Sequence, residues 1–165
     1  MAKVVLKLDD DVSTDAIYPG RFMATVLPAE TPQYAFADLT EFNARLGGGG
    51  VPPGSVIVAG QNFGCGSSRE QAASCLKGPQ LTIVARGFAR IFLQNAINLG
   101  LRTIICPQLE ATEGDDLDFA ATEVTNRTTG RSHAIVPLPA ARQSIVDAGG
   151  LIPYARALLV KARRA

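Results

Sequence analysis

Two short stretches hold most of the residues able to do chemistry. The first is Gly64-Cys65-Gly66-Ser67-Ser68-Arg69-Glu70, running straight out of a β-branched, apolar stretch at residues 55–59. Its glycines let the backbone turn tightly and approach a ligand. Its two serines offer hydroxyls and backbone N–H groups near the expected start of a helix, where anions are favoured. Arg69 adds a fork of donors matched to a carboxylate. Such a turn can hold a carboxylate and set a hydroxyl beside it. The same residues also read as a glycine–serine turn with helix caps and a surface arginine, and spacing alone leaves both readings open. The second stretch is Ser13-Thr14-Asp15-Ala16-Ile17-Tyr18-Pro19-Gly20-Arg21. Asp15 either caps a turn or orients a positive group in a site. Arg21, beside the Pro-Gly turn, either reaches a second carboxylate or is solvated.

Other chemistries find no matching pattern. Gly64-x-Gly66 lacks the third glycine of a dinucleotide fingerprint, and no Gly-Lys-Ser/Thr string builds a P-loop. Cys65, Cys75 and Cys106 are an odd number without paired spacing, which argues against a disulfide framework and for a reducing compartment, the cytoplasm. With His133 the one histidine, neither a protein-only metal site nor a histidine-activated nucleophile is expected. Cys65 reads as a small residue in a tight turn, Cys75 and Cys106 as packing residues, and His133 as structural or on the surface. Sixteen Lys and Arg face fifteen Asp and Glu, and aromatics make up 6% of residues, so nothing suggests nucleic acid as a partner. The basic tail Lys161, Arg163 and Arg164 reads as solvated charge. No apolar run reaches the ~20 residues of a membrane helix, and Lys3 and Lys7 interrupt the start too soon for a secretory leader.

The elements that must position these stretches follow from pattern. At 47% hydrophobic and 19% charged, the 165 residues read as one globular domain with a real core. Residues 4–8 read as a first strand. Residues 55–59, 81–85 and 103–106 read as buried strands separated by a helix through residue 76 and another at 88–99, whose C-cap is Gly100. This alternation predicts an α/β layered core with parallel pairing. Residues 117–124 and 132–138 read as a hairpin around a turn at 125–131, and residues 140–148 and 153–161 as helices broken at Gly149-Gly150. Between the first two strands, residues 22–54 read as a mobile loop with at best a short helix at 32–39, its four glycines at 47–50 the most flexible point.

Taken together, the two stretches resemble the small-subunit family of the isopropylmalate isomerases, within the aconitase superfamily. The resemblance rests on 13–21 and more firmly on Gly60-Gln61-Asn62-Phe63-Gly64-Cys65-Gly66-Ser67-Ser68-Arg69-Glu70. It continues through Phe88-Ala89-Arg90-Ile91-Phe92 and Asn95-Ala96-Ile97-Asn98, and covers most of the chain. It implies a three-layer β/β/α swivelling domain that closes over a large subunit carrying a four-iron iron–sulfur cluster, in a heterodimer or heterotetramer. The cluster acts as a Lewis acid on a hydroxy-di- or tricarboxylic acid, and this chain binds no cofactor and no metal. The reaction moves a hydroxyl between neighbouring carbons by dehydration and rehydration.

Residue by residue, the resemblance makes Ser67 the alkoxide base and Asp15 its supporting active-site carboxylate. Ser68 becomes a substrate contact and Arg69 the partner of a substrate carboxylate. Arg21, Phe22, Met23, Ala24 and Thr25 form the substrate-reading loop, and Asn62, Arg90 and Asn95 are structural. A serine is a weak base and needs N–H donors and positive charge around its alkoxide. Gln71 stands where the family often has histidine. Phe22, Met23 and Ala24 offer no cation for a third carboxylate, which favours an apolar substituent on the substrate. Homoaconitase, a methylmalate or dimethylmalate dehydratase, and a non-catalytic carboxylate-binding module of the same fold are the alternatives.

Overall fold

The structure is a computed structural model and describes residues 1–163; Arg164 of the basic tail lies outside them. Four short strands run parallel at its centre. They are β1 (Ala2–Lys7), β2 (Val56–Ala59), β3 (Thr82–Ala85) and β4 (Arg102–Ile105). β2 and β3 are buried along their whole length, as continuous apolar runs covered on both faces must be. Three antiparallel strands continue the sheet beyond β1. They are β5 (Asp116–Phe119), β6 (Glu123–Asn126) and β7 (Arg131–Ala134), giving the order β4-β3-β2-β1-β5-β6-β7. The sheet rolls until its two ends meet, where Ile105 and Val136 form an antiparallel bridge.

Alternating side chains divide the core in two. Ile57, Ala59, Ile83 and Ala85 face the helices, packing with Leu76, Phe92 and Ala96. Val56, Val58 and Val84 face the other way, against Leu117 and Val124 of the antiparallel strands and Leu109 of the segment leading to them. This is the β/β/α layering expected. A register irregularity in β1 between Val4 and Leu6 changes the alternation there, so that Val4 joins the second core while Val5 and Leu6 join the first.

The helices are α1 (Thr14–Ile17), α2 (Thr40–Gly47), α3 (Glu70–Lys77), α4 (Arg90–Leu99), α5 (Ala140–Asp147) and α6 (Leu151–Ala162). Gly100 closes α4 in the left-handed region at φ 71°. The break between α5 and α6 falls at Gly149 and Gly150 as expected, with φ 86° and 128°. None of the described helices is long and apolar enough to cross a membrane.

Two local expectations are corrected. The helix expected at 32–39 is a 3₁₀ turn, Thr31–Tyr34, and the real helix of that region, α2, starts at Thr40. Only Phe42 is buried in α2, too few apolar positions for a periodic signal. The glycine run begins inside α2 and closes it: Gly48 N donates to Ala44 O and Gly50 N to Arg45 O. The strand expected at 117–124 is two strands, because the chain reverses at residues 120–122, where Ala120 N donates to Glu123 O. The second turn, at Arg127, is the one expected. Asn126 Oδ1 accepts from the backbone N–H of Thr128 and Thr129, a local side-chain turn.

Candidate active site

Both chemistry-bearing stretches leave the same ends of neighbouring parallel strands, the carboxyl ends of β1 and β2. Open α/β sheets place their ligands there. They are laced together by backbone: Gly64 N donates to Val12 O at 2.7 Å and Thr14 N to Cys65 O at 2.8 Å. Glycine is required twice in the turn. Gly64 has φ 81°, and a Cβ on it would stand 2.2 Å from Cγ of Phe92; Gly66 has φ 92°. Phe63, Phe88 and Phe92 form the floor, with Phe63 edge-on to both others at centroid distances of 5.9 and 5.2 Å. The turn is therefore bent over a rigid aromatic base, and Gly66, Ser67 and Ser68 are left exposed on its crest.

Ser67 is held from α1. Thr14, itself buried, donates its hydroxyl to Ser67 O at 3.0 Å and stands 3.3 Å from Ser67 Oγ. Two residues on, Arg69 precedes α3, whose N-terminus no side chain caps. The unpaired N–H groups of that first turn add positive potential beside Ser67 and Ser68. Arg69 is largely covered, with a side chain 20% exposed. Its Nη1 donates to Asp15 Oδ1 and to Tyr18 O at 3.1 Å, which leaves the Nη2 and Nε edge unpaired among the described residues. The Arg69 guanidinium first, and then the Gly20 N–H at 2.9 Å, hold the Asp15 carboxyl below its ordinary pKa. Gly20 fits because a Cβ there would crowd both Arg69 Nη2 and Asp15 Oδ1 at 3.3 Å.

The expected substrate-reading loop forms a compact turn beside this node. Tyr18, fully buried, donates its hydroxyl between Phe22 O and Thr25 O, each 3.2 Å away. Phe22 stacks on Tyr34 at 4.1 Å. Arg21 lies over the Phe22 ring at 4.7 Å and makes a two-point ion pair with Asp38, its shorter contact 2.5 Å. The Arg21 guanidinium lowers the Asp38 pKa. Met23 and Ala24 are exposed, and Thr25 is half-buried at the end of the turn.

Ser67, Ser68, Arg69 and Asp15 thus come together, with Arg21 to Thr25 following directly from Gly20. Thr14, Tyr18 and Asp38 carry structural weight that pattern did not assign. Thr14 and Tyr18 lie inside the Ser-Thr-Asp stretch; Asp38 has no local signal. Asn62 is a turn residue at φ 58° whose Nδ2 donates to Asp11 Oδ1 at 2.7 Å. Arg90 and Asn95 line a small cleft with Arg142 that includes none of the node's residues.

The cysteines do not suit an iron–sulfur cluster. Cys75 is sealed in the helix-side core and Cys106 in the other, burial raising both thiol pKa values, while Cys65 is half-exposed and donates to Asp11 O. Among the described residues, no three His, Cys, Asp or Glu side chains converge as a metal site. His133 is half-buried on β7, its Nε2 without a hydrogen-bond partner among the described residues.

The aconitase C-terminal domain family matches residues 52–109, from just before β2 to beyond β4. The 3-isopropylmalate dehydratase small subunit of Methanosarcina mazei is 43% identical over 93% of this chain and 94% of its own length. The isopropylmalate/citramalate isomerase small subunit of Methanocaldococcus jannaschii is 41% identical over 91% and 90%. A crystal structure of 3-isopropylmalate dehydratase from Methanocaldococcus jannaschii superposes with a TM-score of 0.87 at 36% identity, covering 99% of this chain and 98% of that one. With about two-fifths of its residues, its fold and nearly its whole length shared with these proteins, the chain belongs to the 3-isopropylmalate dehydratase small-subunit family.

Proposed function

We propose that this chain is the small subunit of a two-subunit 3-isopropylmalate dehydratase of leucine biosynthesis, acting in the cytoplasm. It interconverts 2- and 3-isopropylmalate by dehydration and rehydration. The observation that carries this reading is Ser67 exposed on the same turn as an arginine already anchored by Asp15. A base and a carboxylate clamp so placed can address one carbon and the carboxylate next to it. The four-iron cluster belongs to the large subunit, since the cysteines of this chain lie apart.

The geometry supports the following roles for this chain's own residues. Nη2 and Nε of Arg69 grip the substrate carboxylate, with Asp15 and Tyr18 O fixing the guanidinium in place. Ser68 adds a hydroxyl contact beside it. Ser67 Oγ takes the proton from the adjacent carbon and holds it during the dehydrated stage. Its alkoxide is supported by the uncapped start of α3 and by Arg69. Because Asp38 neutralises Arg21, the loop from Arg21 to Thr25 offers no unpaired cation for a third carboxylate. Met23 and Ala24 suit an alkyl group instead. Residues 22–54 form the part that moves as the subunits close on the substrate.

The Methanocaldococcus jannaschii relative named for both isopropylmalate and citramalate supports a second reading, in which a methyl group is accepted in place of isopropyl. Anaerobic mixing with the large subunit of the same genome tests both. Turnover of isopropylmalate is expected, with citramalate slower and homocitrate inert. No turnover of either malate by a formed complex with an intact cluster overturns the assignment; equal turnover of both establishes the broader one.

A further inference from the structure

We infer that Thr14 is a positioning residue for Ser67, and that its single hydroxyl hydrogen turns from the Ser67 carbonyl to Ser67 Oγ when that oxygen loses its proton. The inference rests on the reading of Ser67 as the base. Thr14 is 2% exposed, and its backbone N–H is committed to Cys65 O at 2.8 Å, so the side chain has no freedom to leave the turn. Its Oγ1 lies 3.0 Å from Ser67 O and 3.3 Å from Ser67 Oγ. A hydroxyl has one hydrogen and two acceptor positions. With Ser67 neutral, Thr14 donates to the carbonyl and accepts at its own oxygen, which fixes the Ser67 rotamer. With Ser67 ionised, the hydroxyl gains most by rotating toward the alkoxide, because hydrogen bonds to charged groups are the stronger ones.

The carbonyl gives up little in that exchange: it also accepts from Arg69 N at 2.9 Å. The donor is therefore in place before the reaction and costs no rearrangement of heavy atoms. The charged groups on the elements around Ser67 are Asp15 on α1, Asp9, Asp10 and Asp11 on the segment before it, Arg69 on its own connection and Glu70 at the start of α3. Asp15 and Arg69 are already paired, and Asp11 is engaged by Asn62. Thr14 is an uncharged group that reaches Ser67 Oγ directly.

The test uses the assembled two-subunit enzyme with Thr14→Val, Thr14→Ser and Ser67→Ala, each checked for complex formation. Thr14→Val is expected to lower kcat about 10- to 100-fold with KM nearly unchanged. The rising limb of its pH–rate profile should move up by about one pH unit, since the alkoxide loses a donor. Thr14→Ser, which keeps the hydroxyl, should restore both. A drop in kcat without movement of the limb, or failure of Thr14→Ser to rescue, reduces Thr14 to packing and overturns the inference. Ser67→Ala separates the two levels. Near-normal turnover there removes the base itself, whereas lost turnover there with a wild-type Thr14→Val overturns this inference alone.

Discussion

Two connections leave the parallel sheet on the same side and do opposite things. The one from β2 to α3 spans residues 60–69, carries three residues at positive φ (Asn62, Gly64 and Gly66), and exposes its polar crest. The one from β3 to α4 spans residues 86–89, has no residue at positive φ, and turns Phe88 inward. A parallel bridge between Phe63 and Phe88 joins them, and Ala89 N donates to Phe63 O at 2.9 Å. The short connection is a brace, and the long one is bent over it. The polar groups of the crest sit where the backbone departs furthest from regular structure, and they stay in place because a regular neighbour stands behind them.

The comparison breaks most completely at the crest. Ser67→Ala in the assembled enzyme is expected to cost at least about 10²- to 10⁴-fold in kcat with assembly intact, read by steady-state turnover and co-elution. Next comes the point where bend and brace touch. Gly64→Ala forces a Cβ into Phe92 at a left-handed φ, and is expected to destabilise by about 2–5 kcal/mol in denaturant unfolding. Phe92→Ala alone should cost about 3–5 kcal/mol. The double variant should lose less than the sum by about 1 kcal/mol or more, because the clash disappears with the ring. A strictly additive cycle would show that the two connections are not mechanically joined. Phe88→Ala, half-buried in the brace, should cost about 1–2 kcal/mol and lower turnover only through stability.

The smallest effect belongs to Asp15→Asn, which releases Arg69 without removing it. A roughly threefold to tenfold loss in kcat/KM is expected. The stability difference from wild type also has a definite pH signature. The folded-state carboxyl of Asp15 titrates below its ordinary value near 3.8. The contribution of the pair is therefore present above that value and disappears as pH falls through the lowered one. Unfolding curves of wild type and variant should differ at neutral pH and converge in acid. A gap that persists unchanged in acid would assign the loss to something other than the carboxylate.

What could be read from sequence follows the same divide. The strands beside the brace were legible because burial on both faces leaves a short β-branched and largely apolar run, Val56 to Ala59 and Thr82 to Ala85; the brace itself was not, since Phe88 reads as the start of a helix that in the structure begins at Arg90. The crest was legible through Ser67, Arg69 and Asp15, whose types and order carry a specific resemblance. Thr14, Tyr18 and Asp38 were not, because each acts on a residue that the chain brings near only by folding: Thr14 on Ser67, Tyr18 on Arg69, Asp38 on Arg21. α2 escaped because one buried phenylalanine leaves no period. The strands β5 and β6 merged in the reading because the reversal at residues 120–122, Ala-Ala-Thr, contains neither glycine nor proline.

The meeting of Ile105 with Val136 matters for the solution behaviour of a chain whose sheet would otherwise have two open flanks. Flanking strands of an open sheet present unpaired N–H and C=O groups that recruit strands from other molecules. Here the β4 flank is met by the segment after β7, where Val136 N donates to Ile105 O at 2.8 Å and the Cys106 thiol reaches Ala134 O. The chain can leave the proposed catalytic face open without also offering a long template for aggregation.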